Sequence, residues 1–185
     1  MIHEIIQSHV RAIDGLQSII PDIERLSDAC VKALRDSRKL LLFGNGGSAS
    51  DAQHFAAEIV GRFTGERRAF PAIALVNDGS IMTSVANDYS FDDIFARQVQ
   101  AFAKEGDICI GISTSGNSRN VFRGLEEAKN SGCITAGLLG HDGGIIRPLC
   151  DLPVVAPGES TARIQECHGL IIHIICALVD RGVRS

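Results

Sequence analysis

The chain has 185 residues, 45% of them hydrophobic and 22% charged, with a net charge of −4, 19 glycines and no tryptophan. Length and composition suit one globular domain with a sizeable core. The mild acidic balance, without any basic run, argues against a nucleic-acid-binding or membrane-binding surface. The first residues, Met1 to Ile6, lack the basic and uninterrupted apolar stretches of a signal peptide. No uninterrupted apolar run reaches the ~18 residues of a membrane span. Cys30, Cys109, Cys133, Cys150, Cys167 and Cys176 form no C-x-x-C pair and read as reduced core thiols of a cytoplasmic protein.

In chain order, apolar residues at Ile2, Ile5, Ile6, Val10, Ile13, Leu16 and Ile20 predict an amphipathic helix. Pro21 suits the first turn of a second helix with Ile23, Leu26, Cys30, Ala33 and Leu34 on one face. This pair, residues 1–37, precedes the α/β alternation. Its first helix must cover its stripe either on its own domain or against another subunit.

Leu40 to Phe43 then reads as a buried strand, and Gly44-Asn45-Gly46-Gly47 as a sharp turn. Ser48 is the expected N-cap of a helix running to about Phe63. Further strands are expected at 72–76, 107–112, 134–139 and 151–155. Helical segments lie between them, and a long last helix spans 160–181. Strands that alternate with helices, without hairpin signals, predict a five-stranded parallel sheet covered on both faces, with an N-terminal helical hairpin. Residues 38–185 would form this α/β core, and ligands would sit at the carboxyl ends of its strands.

Two small-residue loops fall at such ends. The first is not a P-loop, since no Gly-Lys-Ser/Thr follows the glycines. Gly44, Gly46 and Ala49 fit a relaxed dinucleotide fingerprint, but the acidic residue it needs about 20 positions on is missing. The second loop carries Ser113, Thr114, Ser115 and Ser118, four hydroxyls ahead of a helix. Hydroxyls and free helix N–H groups together can hold a phosphate monoester, although Ser- and Thr-rich turns also form for their own sake. Beyond the first loop, His54 and Glu58 share a helix face at i, i+4, a spacing that serves a metal pair or a plain surface pair. On the last helix, Gln165 and His173 are ~12 Å apart along the axis and about 80° apart around it. One ion would reach both only if the side chains lean together. A polar His173 inside Leu170-Ile171-Ile172-His173-Ile174-Ile175 asks for a partner.

Phe43-Gly44-Asn45-Gly46-Gly47-Ser48-Ala49 and Ile112-Ser113-Thr114-Ser115-Gly116-Asn117-Ser118 resemble the two sugar-phosphate loops of SIS (sugar isomerase) domains. Three further stretches, Ala52 to Glu58, Ala86 to Tyr89 and Thr161 to His168 with His173 beyond, narrow the resemblance to the phosphoheptose isomerase branch of that family. The resemblance implies an aldose–ketose isomerase that works through an enediol, with Glu58 as base and His173 as acid. It implies substrate contacts from Asn45, Gly46, Gly47, Glu58, Asn87, Asp88, Ser113, Thr114, Ser115, Ser118 and Gln165. It also implies one zinc ion per subunit, held by His54, Glu58, Gln165 and His173, in a homotetramer with active sites at subunit contacts. His168 receives no role from it. The competing readings are a non-enzymatic SIS protein that binds the replication initiator, which typically lacks the acid/base pair, and a sugar-phosphate sensor.

Overall fold

The structure, a computed structural model, describes residues 1–183. Five parallel strands form one sheet in the order β2-β1-β3-β4-β5. They are β1 (Leu40–Gly44), β2 (Ala72–Ala74), β3 (Ile108–Ser113), β4 (Ile134–Leu139) and β5 (Leu152–Val155). Helices α1 (Ile2–Gly15) and α2 (Ile20–Arg35) precede the sheet, separated by a 3-10 turn over Leu16–Ile19. The others are α3 (Gly47–Val60), α4 (Gly79–Asp88), α5 (Ile94–Phe102), α6 (Arg119–Asn130) and α7 (Thr161–Gly182).

The central strands read as continuous apolar runs because both sheet faces are covered. Leu40 and Leu42 enter the core beneath α1, α2, α3 and α7, while Leu41 and Phe43 enter the one beneath α4, α5 and α6. The same alternation continues in β3, where Ile108, Ile110 and Ile112 share the first core and Cys109 the second. The chain leaves β1 for β2 on one side and returns to β3 on the other. The topological switch therefore lies between β1 and β3, the two strands that carry the loops singled out above.

The boundaries differ in a few places. Ser48 is not the cap of α3. Gly46, at φ +55°, takes that position, the helix starts at Gly47, and the Ser48 side chain is buried. Gly61 ends this helix at Val60, short of Phe63. Asn87 and Asp88 lie in the last turn of α4, whose start is capped by Asp78 accepting from the N–H groups of Ser80 and Ile81. The stripe of α1 is divided. Ala12 is buried and Ile13 packs against the core, whereas Ile2, Ile5, Ile6 and Val10 remain exposed.

By length and composition α7 is long and apolar enough to cross a membrane. Here it is a core helix, burying Ile164, Cys167, Ile171, Ile172, Ile175 and Val179 against α2, α3 and the sheet. All six cysteines are free thiols, five of them buried and Cys150 half-buried.

Candidate active site

The site forms where α7 lies along α3. On α3, Asp51, His54 and Glu58 follow an i, i+3, i+7 stripe, and on α7 Gln165 and His173 stand on the facing side. His54 is the meeting point. Its Nε2 is 3.3 Å from His173 Nε2 and 3.4 Å from Glu58 Oε1. The two rings meet edge to face with centroids 4.9 Å apart, and Phe63 backs His173 at 5.5 Å. The partner of His173 is a histidine on another helix, itself exposed. His173 itself is exposed at the helix surface rather than enclosed in the core.

Donors at about 2.0–2.1 Å from a tetrahedral zinc stand ~3.3 Å from one another. Both observed separations match that edge, and two imidazoles with a carboxylate are a donor set that suits zinc. Among the described residues, however, no group of three or more His, Cys, Asp and Glu side chains is arranged to hold a metal ion. Gln165, the fourth expected ligand, instead directs its Nε2 to Asp51 Oδ2 at 3.5 Å. Burial raises the Asp51 carboxyl, with Gln165 and nearby His54 pulling it back. Gln165 also packs over the first loop: a Cβ on Gly47 would lie 2.1 Å from its Nε2, so only glycine leaves the amide this place.

The two loops differ in how they are held. Asn45 and Asn120 exchange amide hydrogen bonds of 2.8 and 2.9 Å, which ties the first loop to the start of α6. With its amide engaged there, Asn45 presents mainly its backbone to the strand end. In the second loop, Ser113 Oγ lies 3.0 Å from Ser118 Oγ and 3.4 Å from Ser115 Oγ, so three hydroxyls converge ahead of α6. Ser115 also closes a local turn by accepting from the N–H of Asn117 at 3.1 Å. Ser118 occupies the cap position of α6 without bonding its N–H groups; that of Val121 donates to Asn120 Oδ1 at 2.9 Å, which leaves those of Arg119 and Asn120 available.

Asn87 and Asp88 stand apart. They bond to each other at 2.8 Å on the exposed end of α4, and no hydrogen bond found among the described residues ties them to α3 or α7. His168 is fully buried and its Nε2 meets the Leu139 carbonyl at 2.9 Å, so that nitrogen carries the hydrogen and Nδ1 has no protein partner. Burial pushes this ring down to about 4, against a smaller upward pull from the carbonyl. It seats α7 on the end of β4.

Sequence reasoning missed Asp51, Asn120 and the Arg67–Asp180 pair described below. Asp51 was accessible, because it shares the stripe of His54 and Glu58. The other two partnerships bridge 75 and 113 residues, and no local pattern announces them.

Residues 8–140 match the family model described as SIS domain. The chain is 52% identical over 179 residues to a phosphoheptose isomerase of Geobacter metallireducens, covering 96% of this chain and 95% of that protein. Among solved structures it resembles phosphoheptose isomerases of Neisseria gonorrhoeae (TM-score 0.92, 38% identity, 97% of each chain) and Francisella tularensis (TM-score 0.94, 36% identity, 97% of this chain and 96% of the other). A fold, a pair of strand-end loops and a helix-borne His/Glu/His contact thus coincide with close likeness along nearly the whole chain, which belongs to the SIS-domain family and, within it, to the phosphoheptose isomerases.

Proposed function

We propose that this sugar-phosphate isomerase converts D-sedoheptulose 7-phosphate to D-glycero-D-manno-heptose 7-phosphate in the cytoplasm, supplying heptose for surface glycans. The observation that carries the reading is the convergence of Glu58 and His173, from separate helices, on His54. Isomerisation across two carbons needs a base and an acid held on different supports, and each is worth about 10²- to 10⁴-fold in rate.

The hydroxyls of Ser113, Thr114, Ser115 and Ser118, with the free N–H groups of α6, receive the phosphate and fix the sugar's far end. The backbone of Asn45 to Gly47, together with Asn87, Asp88 and Gln165, orients the carbon chain. Glu58 takes the proton from C1, and the C–H electrons form the C1–C2 double bond while His173 protonates O2. The enediol then collapses in the other direction. His173 accepts the proton from O1, the carbonyl forms at C1, and Glu58 returns its proton to C2. No electron leaves the sugar, so the exchange needs no redox partner.

One zinc ion per subunit would be held by His54, Glu58 and His173, with Gln165 turning from Asp51 to complete the set. When bound, it supplies Lewis-acid polarisation of the substrate oxygens. A homotetramer with active sites at subunit contacts accounts for the apolar start of α1 left in solvent and for the isolation of Asn87 and Asp88 within one chain. Residues 1–37 would provide much of that contact.

The test is direct. The protein is incubated with sedoheptulose 7-phosphate and the aldoheptose phosphate is followed by NMR. Absence of turnover by the wild type, or full turnover by Glu58→Gln, overturns the assignment. An active monomer in sedimentation analysis removes the shared-site reading while leaving the chemistry intact.

A further inference from the structure

Arg67 lies between α3 and β2, and its side chain is 4% exposed. Its donors are spent on joining two helices. Nε donates to Asp180 Oδ1 at 2.6 Å, Nη2 to the carbonyl of Glu58 at 2.7 Å, and Nη1 to those of Ile59 at 2.9 Å and Arg68 at 3.1 Å. Glu58 and Ile59 belong to the last turn of α3, whose carbonyls have no N–H of their own helix to meet and whose dipole favours a cation. Asp180, in the last turn of α7 and 3% exposed, also accepts from the N–H groups of Thr64 at 3.0 Å and Gly65 at 3.2 Å. A planar guanidinium makes this a fork of fixed geometry, which an ammonium would not reproduce.

We propose that Arg67 and Asp180 are positioning residues for the isomerisation: they fix how far α3 is displaced along α7 and so where the Glu58 carboxylate stands relative to His173. His173 precedes Asp180 by seven residues, two turns earlier on nearly the same face and ~10 Å along the axis. On the other helix, Arg67 grips Glu58 by its own carbonyl. The clamp therefore reaches both members of the acid/base pair without touching the sugar. The inference rests on the roles given to Glu58 and His173 above.

A pair that served stability alone could be exchanged for apolar side chains, because a well-packed hydrophobic replacement often matches a buried ion pair. The experiment compares the wild type, Arg67→Lys and the double variant Arg67→Met/Asp180→Leu. It records kcat and KM on sedoheptulose 7-phosphate, the thermal melt, and the assigned imidazole ¹⁵N resonances of His54 and His173. For the double variant, kcat is expected to fall about 10- to 100-fold, beyond any loss of folded protein, as a displacement near 1 Å would cause. KM stays within about twofold, because the interaction lost belongs to the transition state, and both ring resonances move. Arg67→Lys, which keeps the charge but not the fork, falls between. An unchanged kcat, a fall in proportion to the folded fraction, or unmoved ring resonances each overturn the proposal. If Glu58→Gln instead turns over like the wild type, the base assignment fails, and the His54 and His173 resonances still decide whether the clamp sets their positions.

Discussion

The strand–loop–helix units β1–α3 and β3–α6 are neighbours in one sheet, paired in register from Leu40 opposite Ile108 to Gly44 opposite Ile112. Each strand is fully buried, each ends in a loop of small residues, and each loop opens a helix. Their outer faces differ. Beyond the buried Val121, Leu125 and Ala128, α6 shows solvent Arg119, Arg123, Glu126 and Lys129. Beyond its buried Ala52, Phe55 and Ile59, α3 meets α7, and the seam between them holds Asp51, His54, Glu58, Gln165 and His173. A helix N-terminus with hydroxyls suffices to bind an anion. Acid/base chemistry needs a second element laid alongside, because groups on one helix cannot approach a substrate from two sides.

The largest effect should come from the seam. Glu58→Gln is expected to lower kcat about 10²- to 10⁴-fold, with a melting temperature near that of the wild type because the side chain is partly in solvent. Steady-state kinetics with a parallel melt separates the two; comparable losses in Ser118→Ala would dissolve the division between the units.

Next comes the seat of α7. The His168 ring stays neutral in the fold down to about pH 4, whereas the unfolded chain binds its proton below about 6.5. Stability should therefore fall as pH drops through that window, by about 3 kcal/mol in all, and gain nothing further from this group below it. His168→Gln should flatten the slope in melts between pH 7 and pH 4.5. The Asp180 carboxyl behaves differently. Burial raises it, but Arg67 and the N–H groups of Thr64 and Gly65 outweigh that and hold it below the usual range. Its contribution is present above the ordinary carboxylate range and is lost only at more acid pH.

A smaller loss should follow Gly47→Ala. The added carbon would sit 2.1 Å from Gln165 Nε2, but it meets the tip of a flexible side chain. The fold should survive while kcat drops about tenfold or somewhat more, a split that kinetics and a melt together would show. The smallest effect belongs to the second unit. Ser113→Ala should raise KM for the sugar phosphate about tenfold, the value of one hydrogen bond to a charged group, and change kcat much less. A fall in kcat with unchanged KM would place that hydroxyl in the chemistry.

Much of this was legible beforehand. The apolar runs at Leu40 and Ile108 stood out because a strand covered on both faces favours apolar residues at nearly every position, and the loops because glycine and serine punctuate strand ends. His54 and Glu58 could be paired because a helix repeats every 3.6 residues. The cap of α3 was misplaced by two residues, because a glycine at positive φ can take the position that serine usually holds.

By itself the sequence determined the parallel sheet, the two strand-end loops and the candidate chemical groups, since each follows from short-range periodicity and residue type. Only the tertiary structure decided which groups meet: His54 with His173 across 119 residues, Asn45 with Asn120, and Arg67 with Asp180. Those contacts depend on how helices settle on the sheet and on one another. That settling is fixed by packing over the whole core, and no single stretch of chain encodes it.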